Sequence, residues 1–112
     1  AMQQAAAYIC CVTDREPRVS YGSHSFEVED CSAATENILL AVTGLGYATV
    51  WIDGWLRREG RADTVGSLLG LPEDKVVRII LPIGKPDEVH SQAEKKPFEE
   101  RAWFNRYGAT ES

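Results

Sequence analysis

Two runs of apolar and β-forming residues predict the core strands of this protein. The first covers residues 7–13 (AYICCVT) and is followed by the turn-forming residues 14–17 (DREP). The second covers residues 76–83 (VVRIILPI), in which Pro82 indicates that the end of the strand lies at a sheet edge. Short apolar runs that end in turn residues are typical of buried strands. The pattern therefore predicts two core strands that are far apart in the sequence.

Between these runs, the apolar residues recur every three or four positions, which is the spacing of one helix face. The helix is predicted over residues 26–44, and the residues with this spacing are Cys31, Ala34, Ile38, Ala41, Val42 and Leu45. Acidic residues lie in its first turn, where the helix dipole favours negative charge, and Gly44 and Gly46 are expected to end it. Because the apolar stripe is wide, we expect this helix to be mostly buried, against a sheet or another subunit.

A third β-rich run, residues 47–52 (YATVWI), predicts a central strand, and Asp53 and Gly54 predict a tight turn directly after it. A short helix is expected to begin at residue 63 or 64 and to end at residue 69. Residues 84–97 have no periodicity and are expected to form a loop. Helices that alternate with strands in this way indicate an α+β fold, with a sheet covered by helices.

The composition fits one small globular domain, residues 1–112. Apolar residues make up 44% and charged residues 26% of the 112 positions, which is ordinary for such a domain. The formal net charge of -5 argues against broad binding to nucleic acid or anionic membranes. No apolar run approaches the roughly 20 residues that span a bilayer, and the first residues lack the basic region of a secretory signal. We therefore expect a cytoplasmic protein with no nucleic-acid or membrane partner.

The sequence contains no motif that indicates a catalytic side chain. Cys10, Cys11 and Cys31 lack the spacing of a zinc site or a disulfide framework, so we expect reduced thiols in the core. The glycines of residues 44–46 (GLG) are followed by neither a third glycine nor a helix, which excludes a dinucleotide-binding fingerprint. No acid–base pair stands out from its spacing. We therefore predict no catalytic side chain and no metal site.

Two features remain as candidate binding sites. One is formed by the residues at the predicted end of the third strand, Trp51, Ile52, Asp53 and Gly54. Glycine at such a corner lets the backbone approach a ligand closely, but the same pattern also suits a plain strand end with an Asp-Gly turn. The other is the adjacent pair Lys95 and Lys96, which could bind a phosphate or form a solvated charge pair.

Three segments resemble the C-terminal half of the nitroreductase family, whose members are FMN-dependent NAD(P)H oxidoreductases. They are ATENILLAVTGLGYATVWIDGW, LLGLPEDKVVRIILPIGKPDE and KKPFEERAWFNRYG, and they occur in the order and at the distances typical of the family. The resemblance covers residues 8–107. It implies a mixed sheet flanked by helices, in an intertwined homodimer with FMN at the subunit interface. It also implies that the helix over residues 26–44 packs against its mate and that the tail from residue 97 wraps the partner.

The resemblance assigns a role to both candidate sites. Residues 51–54 match the family segment beside the isoalloxazine ring of FMN, where the backbone N–H of Gly54 would point at flavin N5. Lys95 and Lys96 match a basic pair that binds the FMN phosphate. The second position of this pair is often arginine in the family, and lysine at position 96 cannot bind a phosphate in a bidentate manner.

The implied activity is the transfer of hydride from NADH or NADPH, through FMN, to a small acceptor such as a nitroaromatic or a quinone. The arginine-rich N-terminal segment and the asparagine-containing loop that hold FMN in the family are absent from this sequence. The chain is therefore expected to be the C-terminal part of a nitroreductase-like fold that lacks the N-terminal helices. The alternative is a truncated, non-catalytic remnant that dimerises or binds a ligand without flavin.

Overall fold

The computed structural model describes residues 2–88 and 91–109 and has an α+β fold. Its regular elements are strand β1 (Ala7–Asp14), helix α1 (Glu27–Gly44), helix α2 (Arg61–Leu69) and strand β2 (Lys75–Ile83). Short 3-10 helices occur at Met2–Gln4, Gly54–Arg57 and Phe98–Glu100. The predicted fold class, with a sheet flanked by helices, is confirmed, and so are both core strands and both helices.

Strands β1 and β2 form a two-stranded antiparallel sheet. Its register shifts once, because Cys11 pairs with Ile79 whereas the next residue, Val12, pairs with Val77. Arg78 is therefore the extra residue of a β-bulge in β2. Within the described residues the sheet is antiparallel, so the mixed sheet expected from the resemblance is not formed by these residues alone.

Residues 47–52 lie beside β2 but do not form the predicted central strand. Two pairs of backbone hydrogen bonds, between 2.8 and 3.1 Å long, hold this segment to β2. One pair joins Ala48 and Gly84, and the other joins Ile52 and Ile80. Both are isolated antiparallel bridges, so the prediction of a continuous strand was wrong. Strand β2 therefore lies between β1 and this segment.

Pro82 explains why the segment does not become a strand. In the antiparallel register that the two bridges set, Val50 stands opposite Pro82. Proline has no backbone N–H, so the ladder of hydrogen bonds is interrupted at its centre. The chain near Val50 is consequently held at its two ends and open between them.

The hydrophobic core lies on both faces of the sheet. On one face, three buried residues form a cluster, Leu56, Val77 and Ile80. Cys10 packs against this cluster, whereas the next residue of β1, Cys11, contacts Thr35 of α1. Successive residues of a strand point to opposite faces. Helix α1 therefore covers one face of the sheet, and α2 with the Gly54–Arg57 helix covers the other.

Glycines set the limits of α2. Gly60 before the helix and Gly70 after it both have left-handed backbones, with φ of 66° and 71°. L-residues with a Cβ rarely adopt this conformation, and glycine here ends the helix as predicted. The loop predicted for residues 84–97 is irregular over its described part, and residues 89 and 90 lie outside the described residues.

Helix α1 is more exposed in this single chain than its apolar pattern predicts. Only Thr35 and Val42 of the helix are buried, while Leu40 and Leu45 are 64% and 75% exposed. The chain exposes 8958 Å², about 2,800 Å² more than the roughly 6,100 Å² expected for a compact monomer of 12.4 kDa. Its radius of gyration of 17.9 Å also exceeds the roughly 13 Å of a compact domain. Much apolar surface is therefore left for a partner to cover.

Candidate functional site

Residues 51–54 lie where the segment that pairs with β2 ends and the chain turns away from the sheet. The backbone of Ile52 exchanges two hydrogen bonds with Ile80, of 3.1 and 2.9 Å. Directly afterwards, Asp53 occupies the N-cap position of the 3-10 helix Gly54–Arg57, without a capping hydrogen bond from its side chain. The predicted Asp-Gly turn is therefore the beginning of a short helix. The last paired residue of the segment and the glycine are only two positions apart, which fixes where Gly54 lies relative to the sheet.

Gly54 presents bare main chain to solvent. A Cβ built on this residue would meet no other atom within 4 Å, and its φ lies outside the left-handed region. The first N–H groups of a helix have no acceptor within that helix, and the N–H of Gly54 donates no backbone hydrogen bond in the described part of the chain. No contact in the described part of the chain requires a glycine here, and the exposed residue has no backbone acceptor for its N–H there.

The Asp53 carboxylate is held by Arg57, one helical turn further on. The Nε of Arg57 donates to Oδ1 at 2.6 Å, and its Nη2 lies 3.3 Å from Oδ2. This hydrogen bond, more than any other interaction, lowers the pKa of the Asp53 carboxyl, and the Trp51 side chain also favours the charged form. A carboxylate held in its charged form is a weak base. Asp53 therefore fixes the corner and is not placed to transfer protons.

Arg57 was missed in the sequence, although its spacing from Asp53 was a usable signal. Residues four positions apart on a helix are neighbours, and opposite charges at this spacing attract. Arg61 was missed as well. Its guanidinium carbon lies 4.8 Å from the ring centroid of Trp55, and its Nη1 donates to the Trp55 carbonyl oxygen at 3.3 Å. These two arginines hold the helix that begins at Gly54.

An apolar cleft of about 390 Å³ opens next to this corner. Trp55 lines it together with Tyr8, Val65 and Leu69. Clefts of roughly 300–1,000 Å³ with mainly apolar walls are typical of sites for small organic ligands. The residue that follows Gly54 therefore belongs to a surface on which a flat apolar molecule could lie.

A second cleft, of about 380 Å³, opens where Pro82 interrupts the pairing with residues 48–52. Its wall includes Thr49, Val50, Pro82 and Lys85. The hydroxyl oxygen of Thr49 is buried and has no hydrogen-bond partner in the described chain. Buried polar atoms are usually paired, so this hydroxyl is free to bind a water molecule or a polar group of a ligand. No signal in the sequence indicates this cleft, because its wall joins Thr49 to Pro82, more than thirty residues away in the chain.

Lys95 and Lys96 lie in an irregular, exposed segment before the Phe98–Glu100 helix. The carbonyl oxygen of Lys96 accepts a hydrogen bond of 2.8 Å from Nε of Arg101, which fixes the backbone there. Neither ammonium group forms an ion pair within the described residues. No hydrogen bond or ion pair in that part of the chain joins the two lysines to residues 51–54. Residues 51–54 thus form one corner of the fold, and the two lysines belong to a separate, exposed segment of the described chain.

Residues 2–88 and 91–109 contain neither a metal-binding cluster nor a membrane-spanning helix. No group of three metal-ligating side chains is found there. None of the helices in this part of the chain is long and apolar enough to cross a membrane.

Comparison with known proteins confirms the resemblance seen in the sequence. The profile described as "Nitroreductase family" matches residues 1–85. A protein of Archaeoglobus fulgidus named "Putative NADH dehydrogenase/NAD(P)H nitroreductase" is 42% identical over 84 residues, which are 75% of this chain and 46% of that protein. A protein of Methanothermobacter thermautotrophicus with the same name is 35% identical over 83 residues, 40% of its length. The chain thus spans less than half the length of these relatives.

Solved structures agree with this match. The crystal structure of a "Putative NADH dehydrogenase/NAD(P)H nitroreductase" from Bacteroides thetaiotaomicron is 30% identical with a TM-score of 0.71, over 94% of this chain and 58% of that one. An "FMN-dependent Nitroreductase" from Clostridium difficile has a TM-score of 0.73 over 94% of this chain and 60% of that one. Its 22% identity supports the fold alone. With a family match that covers most of its length and relatives of the same kind, the chain belongs to the nitroreductase family.

Proposed function

We propose that this chain forms one wall of an FMN site in an oxidoreductase that uses NADH or NADPH to reduce a small acceptor, such as a nitroaromatic or a quinone. In this proposal, residues 1–112 are a single domain, the C-terminal part of a nitroreductase-like fold. Membership of the family supports it, and so does the structural neighbour named as FMN-dependent. The observation that carries it is the exposed main chain at Gly54, directly before Trp55, which lines an apolar cleft.

The four residues of the corner are Trp51, Ile52, Asp53 and Gly54, and we assign them to the wall beside the flavin ring. The corner is anchored on both sides of the glycine, by the bridge from Ile52 to β2 and by the ion pair from Asp53 to Arg57. The N–H of Gly54 is thereby held in place before a ligand arrives, and we assign it as the donor to flavin N5. A ligand that binds to a fixed donor loses less entropy than one that must order a loop.

Bound FMN would supply the chemistry, which is to accept hydride from reduced nicotinamide and pass it to the acceptor. The chain's own residues would bind and orient the cofactor. No side chain at the corner needs to act as an acid or base, which agrees with a carboxylate at Asp53 that stays charged. The open space around Gly54 would let the ring approach the main chain closely.

We assign Lys95 and Lys96 to the phosphate of FMN. Their ammonium groups are exposed and form no ion pair with a described carboxylate, so they are available to a dianion. Two lysines bind phosphate as separate point charges, without the paired geometry of a guanidinium. We therefore expect the phosphate contact to add affinity through charge more than through directed hydrogen bonds.

We also propose that the protein is a homodimer. The surplus surface of about 2,800 Å² per chain, or about 5,600 Å² for two chains, lies at the upper end of the roughly 2,000–5,000 Å² or more that obligate dimers bury in total. Leu40 and Leu45 of α1 are exposed, and so are Phe98 and Tyr107 of the tail, where aromatic rings pair only with one another. A second copy of the chain would cover these groups. The free thiols of the chain are compatible with a location in the reducing cytoplasm.

Reconstitution with FMN tests the proposal. The purified protein is mixed with excess FMN, freed of unbound flavin by gel filtration, and examined for visible flavin absorption and for its mass by light scattering. A coloured dimer that oxidises NADH or NADPH when a nitroaromatic or quinone is added is the expected result. A protein that stays colourless in excess FMN would contradict the flavin site and favour the non-catalytic remnant.

A further inference from the structure

A pair of thiols lies on the α1 face of the sheet, away from the corner at Gly54. We propose that Cys11 of β1 and Cys31 of α1 form a redox-active pair, which a low-molecular-weight disulfide converts to an intramolecular disulfide. This inference is independent of flavin binding. It rests on the contacts of Thr35, on a cleft that both cysteines share, and on the direction in which each cysteine of β1 points.

Thr35 places the two cysteines side by side. Its side chain is fully buried between α1 and β1, and its hydroxyl oxygen lies 3.5 Å from Sγ of Cys11. The same hydroxyl donates to the carbonyl oxygen of Cys31 at 2.7 Å. Because Cys31 precedes Thr35 by four residues, the two side chains lie on the same face of α1. The thiol of Cys11 is therefore packed against the turn of α1 that carries Cys31.

Both thiols are accessible from the same side. Cys11 and Cys31 are half-buried and line one open cleft of about 540 Å³. Lys75 also lines this cleft but is ion-paired with Asp14, and the carboxylates of Glu27 and Asp30 line it too, so an incoming disulfide meets no free positive charge among the described residues there. Cys10, the neighbour of Cys11, packs instead against the core cluster on the other face. It therefore cannot replace Cys11 in the pair.

The surroundings of the pair set the pH at which Cys31 can react. Burial raises the pKa of the Cys31 thiol, and the nearby Cys11 thiol raises it further, while the charge of Arg78 acts in the opposite direction. Arg78 reaches this face because the β-bulge makes it the extra residue of β2, where its Nε donates to Oγ1 of Thr13 at 3.0 Å. A raised pKa keeps Cys31 protonated at neutral pH, so this residue should rest as a thiol and react faster as pH rises.

The proposed reaction is thiol–disulfide exchange with a reagent such as oxidised glutathione. One cysteine loses its proton to water, and its sulfur attacks a sulfur of the reagent. The reagent's S–S bond breaks, one glutathione leaves, and a mixed disulfide forms. The second cysteine then loses its proton and attacks the protein sulfur of that bond, which releases the second glutathione. Two electrons pass from the cysteines to the reagent, and β1 becomes covalently joined to α1.

Peptide mapping of the intact chain tests this pair. The reduced protein is incubated with oxidised glutathione above neutral pH, its remaining thiols are alkylated, and trypsin is applied without a reductant. Cleavage after arginine leaves Cys10 and Cys11 in residues 1–15 and Cys31 in residues 19–57. We expect the free thiols to fall from three to one and these two peptides to be joined, with release by dithiothreitol. Three unchanged thiols, or glutathione that remains bound as a stable adduct, would overturn the proposal.

Two single variants identify the bond. Cys10→Ser should still form the link between the two peptides, whereas Cys31→Ser should keep glutathione as a mixed disulfide and form no link. Circular dichroism before oxidation shows whether each variant is folded. If one variant is not, fragmentation of the linked peptides from the unmodified chain shows which of Cys10 and Cys11 carries the alkyl label and which carries the bond to Cys31. A link that disappears in Cys10→Ser would mean that the sheet face was assigned wrongly, and the proposed pair would then be rejected.

Discussion

Replacement of Gly54 by valine should separate flavin binding from folding. A Cβ at this position meets no atom within 4 Å and the backbone is not left-handed, so we expect the free energy of unfolding to change by no more than about 1 kcal/mol. The same side chain would occupy the space over the N–H that we assign to the flavin. A buried donor that loses its acceptor costs about 1–3 kcal/mol, which corresponds to a rise in Kd of about 5- to 150-fold.

Titration of FMN, followed by its fluorescence, measures this effect, and urea denaturation measures stability in parallel. Gly44→Val is a matched control, since a Cβ at Gly44 also meets no atom within 4 Å and the residue lies at the end of α1, outside the corner. We expect a loss of FMN affinity of about 5- to 150-fold for Gly54→Val and near-normal affinity for the control. If Gly54→Val folds and binds FMN as the unchanged protein does, the assignment of its N–H to the flavin is refuted.

Four other substitutions, one of them a control, test separate parts of the structure. Lys95→Ala should weaken FMN binding more at low salt than at high salt, because mobile ions screen the charge; the same loss at both salt concentrations would argue against a phosphate contact. Leu81→Ala removes a fully buried side chain and should cost about 2–5 kcal/mol in urea denaturation, whereas Leu68→Ala, at an 82% exposed position, should change stability by less than about 0.5 kcal/mol. Arg57→Gln should raise the pKa of the Asp53 carboxyl toward its ordinary value of 3.8, as measured by NMR titration. Because folding lowers this pKa, the ion pair stabilises the protein at pH values above 3.8. That stabilisation is lost as pH falls through the lower pKa of the folded state. An unchanged Asp53 pKa in Arg57→Gln would contradict the pairing.

The elements that could be predicted from the sequence are those fixed by nearby residues. Helix α1 follows from apolar spacing and acidic residues in its first turn, and α2 ends at Gly70 because that glycine adopts a left-handed backbone. The two strands follow from β-forming runs with turn residues beside them. In each case, the residues that decide the structure lie within the element or directly next to it.

The features that could not be predicted depend on residues far away in the chain or outside it. Residues 47–52 have the composition of a strand, but Pro82 removes the hydrogen bond that would complete the ladder. The breadth of the apolar stripe of α1 indicated burial, yet the surface that would bury Leu40 is not supplied by the described residues. Position Gly54 was identified from the family, while its accessible N–H and open surroundings became visible only in the fold.

The position of β1 at the side of the sheet has a consequence for handling this protein. In the described residues β1 pairs only with β2, so much of its outer edge offers unpaired main-chain donors and acceptors, flanked by the partly exposed Ile9 and Val12. Edges of this kind recruit strands from other molecules, and natural proteins usually block them with charge, proline or a covering element. At high concentration the isolated chain should therefore tend to aggregate through β1. A parallel strand docked there would protect the edge and would also turn the antiparallel pair into a mixed sheet.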